Sequence, residues 1–335
     1  MTDLTSTPRG ETRRGWLSWG VLSLALRVLG TVIAVVVGLF LVTFAGGQSE
    51  QLVLQAIVTG LLLGGVYGLV SLGLTLIFGV LEIVNFAQGT LLTLAMFVAY
   101  AMAAYGGVNV YLAILVAIPV LFLLGYGVQT TMLNRLMGRG LENQLLVTLG
   151  LSLFIENALL LGFGGQPKSV QAPWQGSLDV FGAVAQVPRV IAFGGALALA
   201  AVLTWLLRRT RLGMAIRSVA ANAEGASLVG VDVPRVYALT FGLGTACVGA
   251  AGALILPFLS LVPTVGEQFT ILAFVIVVLG GLGSVVGAVL GGLVVGLVQQ
   301  VGSLYLPGTG SLLLVFAVFV LVLFVRPQGL FGGRS

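Results

Sequence analysis

The chain has 335 residues, of which 59% are hydrophobic, 7% charged and 49 glycine, with a mean hydropathy of +1.15 and a formal net charge of +5. A soluble globule carries about a quarter charged residues, so this composition excludes one and places the chain in a bilayer. With no histidine, one cysteine (Cys247) and one lysine (Lys168), it also excludes an intrachain disulfide, a cysteine metal site and a P-loop.

The apolar runs are too long and too weakly alternating for a membrane β-barrel, so the expected class is an all-α polytopic membrane protein. The arginines sit between apolar segments rather than on one basic face, which argues against a nucleic-acid partner and for topology signals.

In chain order, Arg9, Arg13, Arg14 and Arg27 precede an apolar run at 28–45 that is long enough to cross a bilayer. Residues 1–50 therefore read as a cytoplasmic N-terminus plus an extra signal-anchor helix. A cleaved signal peptide is the alternative, since Thr43-Phe44-Ala45 resembles a small-residue cleavage site. Residues 51–335 read as the main transmembrane domain, with spans at 52–79, 86–105, 110–132, 144–163, 189–207, 236–256, 268–282, 284–300 and 311–325. About ten crossings put both termini inside. The same threading sends Arg135, Arg139, Arg208, Arg209, Arg211, Arg217, Arg235, Arg326 and Arg334 to the cytoplasmic side and leaves Lys168 and Arg189 at the outer one.

Two stretches do not fit a simple span. Residues 52–79 are longer than one crossing needs. Residues 271–300 are too long for one and short for two, with Gly280, Gly281, Gly283 and Ser284 in the middle. Glycine-interrupted hydrophobic segments are the pattern of broken or re-entrant helices; a tight turn or close helix packing is the plainer reading. VLEIVNFAQGTLLTLA and VLGGLGSVVGAVLGG share a break followed by a small-residue helix, which hints at an internal repeat. The threading puts both breaks near one face, which an inverted repeat does not predict.

Four polar features stand out. In EIVNFAQG, Asn85, Gln88 and Gly89 are expected to line or gate a translocation path opposite the Gly280 to Ser284 break; equally, Asn85 and Gln88 could cap the following helix. Glu82 is expected at the cytoplasmic interface. Glu156 and Asn157 fall near the middle of a span, where a carboxylate must face a cavity or a partner. The loop at 208–236 carries Glu224-Gly225-Ala226, then Gly230, Val231, Asp232 and Pro234. That E-x-A-x-x-x-G spacing resembles the EAA signature of ABC importer permeases, which docks on the ATPase subunit; an ordinary basic loop that fixes topology is the plainer reading.

LGGVYGLVSLGLTLIFGVLEIVNFAQGTLLTLAMFVAY, the EGASLVGVD loop and VVLGGLGSVVGAVLGGLVVGLVQ ending in RPQGLFG together resemble the LivH-type permeases of branched-chain amino acid ABC importers. The resemblance runs in order from about residue 52 to 332. It implies a type II-like ABC importer permease in the bacterial inner membrane that itself makes and breaks no covalent bond and binds no cofactor or metal. The implied partners are a second, LivM-like permease subunit, two ATP-binding subunits that hold the ATP, and an outer solute-binding protein that delivers a small amino acid. Urea or short amides are alternative cargoes. A proton-coupled secondary transporter working through Glu156 or Glu82 is the rival of another class. The family usually has His where Gln88 stands and commonly an acidic or small residue where Thr90 stands, and it does not fix the position of Glu82. The family tolerates Glu or Gln at the position of Glu156, which implies hydrogen bonding rather than charge.

Overall fold

A computed structural model describes residues 49–137, 140–174, 176–180, 182–306 and 308–330. The expected first helix at 28–45 with its flanking arginines, and also Arg139 and Arg334, lie outside the described residues.

Within them the chain forms eleven α-helices and one hairpin: α1 (Glu50–Leu81), α2 (Gln88–Ala104), α3 (Ile114–Thr131), α4 (Leu141–Phe163), β1 (Ser177–Val180), β2 (Ala183–Gln186), α5 (Val187–Arg209), α6 (Arg211–Ala221), α7 (Ala223–Leu228), α8 (Val233–Ile255), α9 (Gly266–Gly280), α10 (Val285–Gly302) and α11 (Gly310–Val325). Among the described residues, seven apolar segments are long enough to cross a membrane, including 114–136 and 263–280, which each add a 3-10 turn to their helix; α2 and α11 are shorter apolar helices. The nine spans expected after residue 50 match α1 to α5 and α8 to α11 one for one. The largest displacement is at α3, expected from 110 and observed from Ile114.

Helices α1 and α8 form the buried centre, while α3, α4 and α5 leave most of their surface exposed. Apolar burial cannot sort helices in a bilayer, whose tails are as apolar as leucine, so backbone proximity must. Small residues supply it. Gly60, Gly64 and Gly68 on α1 form a stripe of period four that lies antiparallel on α10. A Cβ on Gly60 would stand 2.9 Å from the Gly296 carbonyl oxygen, one on Gly64 2.8 Å from that of Gly292, and one on Gly68 3.0 Å from Val289 Cα. On α8, Gly249 likewise approaches the Ala117 carbonyl of α3 and Gly252 that of Leu92 on α2.

The bundle has two distinguishable ends. At one, the hairpin pairs Ser177 with Gln186 and Val180 with Ala183. It is clipped to α1 by Gln55, whose Nε2 donates to the Val184 carbonyl and whose Oε1 accepts from the Val184 amide, both at 2.7 Å. At the other end lie the C-terminus of α1, the arginines of α5 and α6, and the start of α8. The chain after α11 returns there too, where the Leu330 amide donates to the Leu279 carbonyl at 2.8 Å.

Candidate functional site

Helix α1 runs thirty-two residues, ~48 Å of helix and more than a hydrocarbon core requires. It stops at Glu82, which takes a left-handed conformation (φ 57°) and is exposed. Residues 82–87 then turn back into the bundle alongside α1. Gln88, the first residue of α2, donates through Nε2 to the Val70 carbonyl at 2.9 Å. Val70 lies eleven positions before Leu81, so α2 begins roughly 16 Å inside the bundle.

A segment without helical hydrogen bonds in an apolar interior needs side-chain partners. The sequence provides them. Asn85 Oδ1 accepts from the Ala87 amide at 3.0 Å, and Asn85 Nδ2 donates to Gln88 Oε1 at 3.2 Å. From α4, Thr148 Oγ1 accepts from the Phe86 amide at 3.3 Å and donates to the Val84 carbonyl at 3.4 Å. Asn85, Gln88 and Thr148 are all fully buried.

A second interruption meets the first. After α8 the chain returns through a 3-10 turn (Pro263–Val265) and starts α9 inside the bundle. The Gly89 amide donates to Thr270 Oγ1 at 3.0 Å, and Gly89 and Gly266 touch backbone to backbone, leaving no room for a Cβ on either. The structure thus brings Asn85, Gln88 and Gly89 together and sets Gly266 and Thr270 opposite them. The Gly280 to Ser284 group, expected there, lies instead at the arginine end, where Gly283 packs on Gly79. It is a tight turn: Gly281 and Gly283 have φ of 97° and 79°, the Ser284 amide donates to the Gly281 carbonyl, and Ser284 Oγ caps α10 by accepting from Gly287. Glycine placed there provides the left-handed backbone that other residues avoid.

Glu156 and Asn157 lie on α4, apart from the break. Asn157 is exposed and bonds its own helix, donating to the Leu153 carbonyl at 2.8 Å. Glu156 is half-buried beside a face that exposes Leu153, Phe154, Leu160 and Leu161. Sequence reasoning missed Thr148 and Ser152, the latter hydrogen-bonded to Thr90. A signal existed, because Gln144, Thr148, Ser152 and Glu156 recur every four residues and so form one polar stripe along an apolar helix.

At the arginine end, the 208–236 loop folds into two short helices. Thr210 caps α6 by accepting from the Gly213 amide, and Asn222 caps α7 by accepting from Gly225 at 2.7 Å. Helix α7 holds Glu224, Gly225 and Ala226, of which Ala226 is buried and Glu224 exposed. It ends in a Schellman turn: Val231 donates to the Ala226 carbonyl and Gly230 to that of Ser227, with Gly230 at φ 86°. Asp232 then caps α8 by accepting from Arg235, with Pro234 in the first turn. The turn thrusts Leu228 and Val229 outward, 87% and 80% exposed. Sequence reasoning passed over both, although an apolar pair just ahead of a left-handed glycine is a readable sign. Asn134 Nδ2 ties the neighbouring loop to this element through the Pro234 carbonyl at 3.4 Å.

Apolar helices packed on glycine, two of them beginning at breaks within the bundle, and a capped small-residue element at the arginine-rich end together define a polytopic membrane permease. Comparison with known proteins narrows the class: the family described as "Branched-chain amino acid transport system / permease component" matches residues 56–324, and the chain belongs to that family. It is similar to the high-affinity branched-chain amino acid transport system permease protein LivH of Escherichia coli K12, 30% identical over 302 residues that cover 85% of this chain and 98% of the relative. BraD of Pseudomonas aeruginosa, a permease protein of the same description, is 29% identical over 83% of this chain and 95% of its own length. A probable LivH of Methanocaldococcus jannaschii is 29% identical over 79% and 88%. No solved structure matches.

Proposed function

We propose that this permease moves branched-chain or related small amino acids into the bacterial cytoplasm as one membrane subunit of an ABC importer. Two partner ATPases bind the ATP, and an outer solute-binding protein delivers the cargo. The substrate reading is supported by the relatives, which are named for branched-chain amino acid transport. Those names do not favour urea, short amides or a proton-coupled mechanism. Orientation follows from charge: Arg208, Arg209, Arg211, Arg217 and Arg235 share one end, which makes that end cytoplasmic, with the C-terminus on the same side.

The observation that carries the reading is α7 with its Schellman turn. It presents an exposed apolar tip, Leu228 and Val229, on a helix capped at both ends, at the base of the buried helix α8. A topology loop needs no such rigidity; a lever seated in an ATPase groove does. Movement of the tip is transmitted through α8 toward the paired breaks at Asn85 to Gly89 and Gly266 to Thr270. Those breaks act as the gate, because a non-helical segment held by a few side-chain bonds is the cheapest part of the bundle to rearrange. The exposed face of α4 is the seat of the second permease subunit, which also gives Glu156 a neighbour other than lipid.

The test is labelled leucine uptake in cells that lack this gene, rescued with wild type or with Gly230→Pro. Proline holds φ near −65° and cannot adopt the left-handed turn. Wild type should restore uptake, and Gly230→Pro should reach the membrane at equal level yet restore little of it. Full rescue by the variant would count against the coupling element. Leucine uptake that survives deletion of the gene would discard the substrate.

A further inference from the structure

Arg189 is the third residue of α5, at the hairpin end. A cation placed there would ordinarily extend its guanidinium outward to water. This one turns inward. Its Cζ lies 5.8 Å from the centroid of the Phe258 ring, and its Nε is buried without a hydrogen-bond partner among the described residues. The side chain lines a cavity of 220 Å³ together with Tyr67, midway along α1, and Phe269 of α9. No residue lining that cavity is acidic. The arginine also sits in the first turn of α5, where the positive end of the helix dipole opposes it. A half-buried guanidinium in an apolar segment, whose Nε–H has no partner and whose cavity has no carboxylate among the described residues, is held at a cost that an incoming anion would offset.

The rest of the lining specifies what else that anion carries. Gln268 and Gln300 offer amide oxygens that can accept from an ammonium group. Leu63, Ile255 and Phe269 offer an apolar wall for a hydrocarbon side chain. The volume falls below the roughly 300 Å³ at which sites for drug-sized ligands begin, and so suits a small zwitterion.

We propose that this cavity is a binding site for the amino acid in transit, with Arg189 holding the α-carboxylate, Gln268 and Gln300 the ammonium group, and the apolar wall the side chain. The inference rests on the amino acid importer reading above. It connects cargo to gate through Phe269, which stands edge-on to Tyr67 with ring centroids 5.9 Å apart and belongs to the helix that starts against Gly89. An occupied site therefore touches α9 near the break, and an empty one leaves the Arg189 charge unpaired.

The experiment is binding of labelled leucine to the complete transporter in lipid nanodiscs, without the outer binding protein, using two competitors. One, 4-methylpentanoate, keeps the carboxylate and lacks the amine; the other, 3-methylbutylamine, keeps the amine and lacks the carboxylate. Leucine should bind the wild type and be displaced by the acid far better than by the amine. Arg189→Gln should weaken binding at least about tenfold, as truncating one side of a buried charge pair does, with Arg189→Lys in between. Gln300→Glu, which sets a carboxylate where the ammonium group binds, should make the amine a clearly better competitor than it is on the wild type while leaving the arginine in place. It decides the matter should Arg189→Gln fail to assemble. No leucine binding by the wild type, undiminished binding by Arg189→Gln, no gain in competition by the amine on Gln300→Glu, or displacement from the wild type by the amine as good as by the acid would each overturn the site. Leucine uptake by intact cells in the face of any of these would still leave the importer standing.

Discussion

Helices α1 and α9 both stop at the arginine end of the bundle, and the chain leaves them in different ways. After Gly280 it makes a four-residue turn and enters α10 at once, closed by one amide-to-carbonyl bond and the Ser284 cap. After Leu81 it runs six residues without regular structure back into the apolar interior before α2 begins. The glycines of the first connection supply backbone freedom and little else. The second connection carries Asn85 and Gln88 and borrows Thr148, because each peptide group that travels inside without a helical partner must find one. Turning at the rim takes glycine; travelling through the interior takes amides and hydroxyls. Only the second kind of interruption leaves bonds that a conformational change can exchange.

Three substitutions press on that contrast, from the largest effect to the smallest. Gly89→Val drives a side chain into the Gly266 carbonyl, a backbone atom with nowhere to go. It should cost more than ~3 kcal/mol and abolish assembly, seen as loss of the protein from a detergent-solubilised size-exclusion peak. Asn85→Leu keeps the volume near constant and strips the Ala87 amide and Gln88 of their partner, for about 2–3 kcal/mol. Its melting temperature should fall clearly and transport with it; an unchanged melting curve would mean the segment does not depend on side-chain bonding. Ser284→Ala removes only the cap of α10 and should cost ~1 kcal/mol, with uptake retained. If Ser284→Ala stopped transport and Asn85→Leu did not, the gate would belong at the turn and the comparison would be reversed.

Much of the bundle was readable from residue order alone. The apolar runs predict the helices to within a few positions, and among the described residues the arginines that threading put on one side do gather at one end. Asn85 and Gln88 marked a true break because amides are so poorly tolerated in an apolar run that their presence needs a reason. The partner of that break was not readable. GGLGS displays its glycines openly and folds as an ordinary turn, whereas the segment that meets Gly89, LSLVPTVGEQFT, reads as a plain connection. Its role arises from a contact between residues 177 positions apart, Gly89 and Gly266, which local pattern does not encode. Arg189 was placed at an interface because position along a span says where a Cα lies, and not which way four rotatable bonds carry a guanidinium.

The seam between α1 and α10 has a mechanical meaning. Its glycines bring two backbones within reach of each other every four residues, at Gly60, Gly64 and Gly68 against Gly296, Gly292 and Val289. Sliding one helix along the other by a single residue would drive valine and leucine side chains into carbonyl oxygens, and the next register that restores the fit lies about 6 Å away. The pair is therefore a keyed shaft, rigid to shear and to rotation. In the importer proposed above, such a part would be the stator, with the stroke left to the short helices that turn against it.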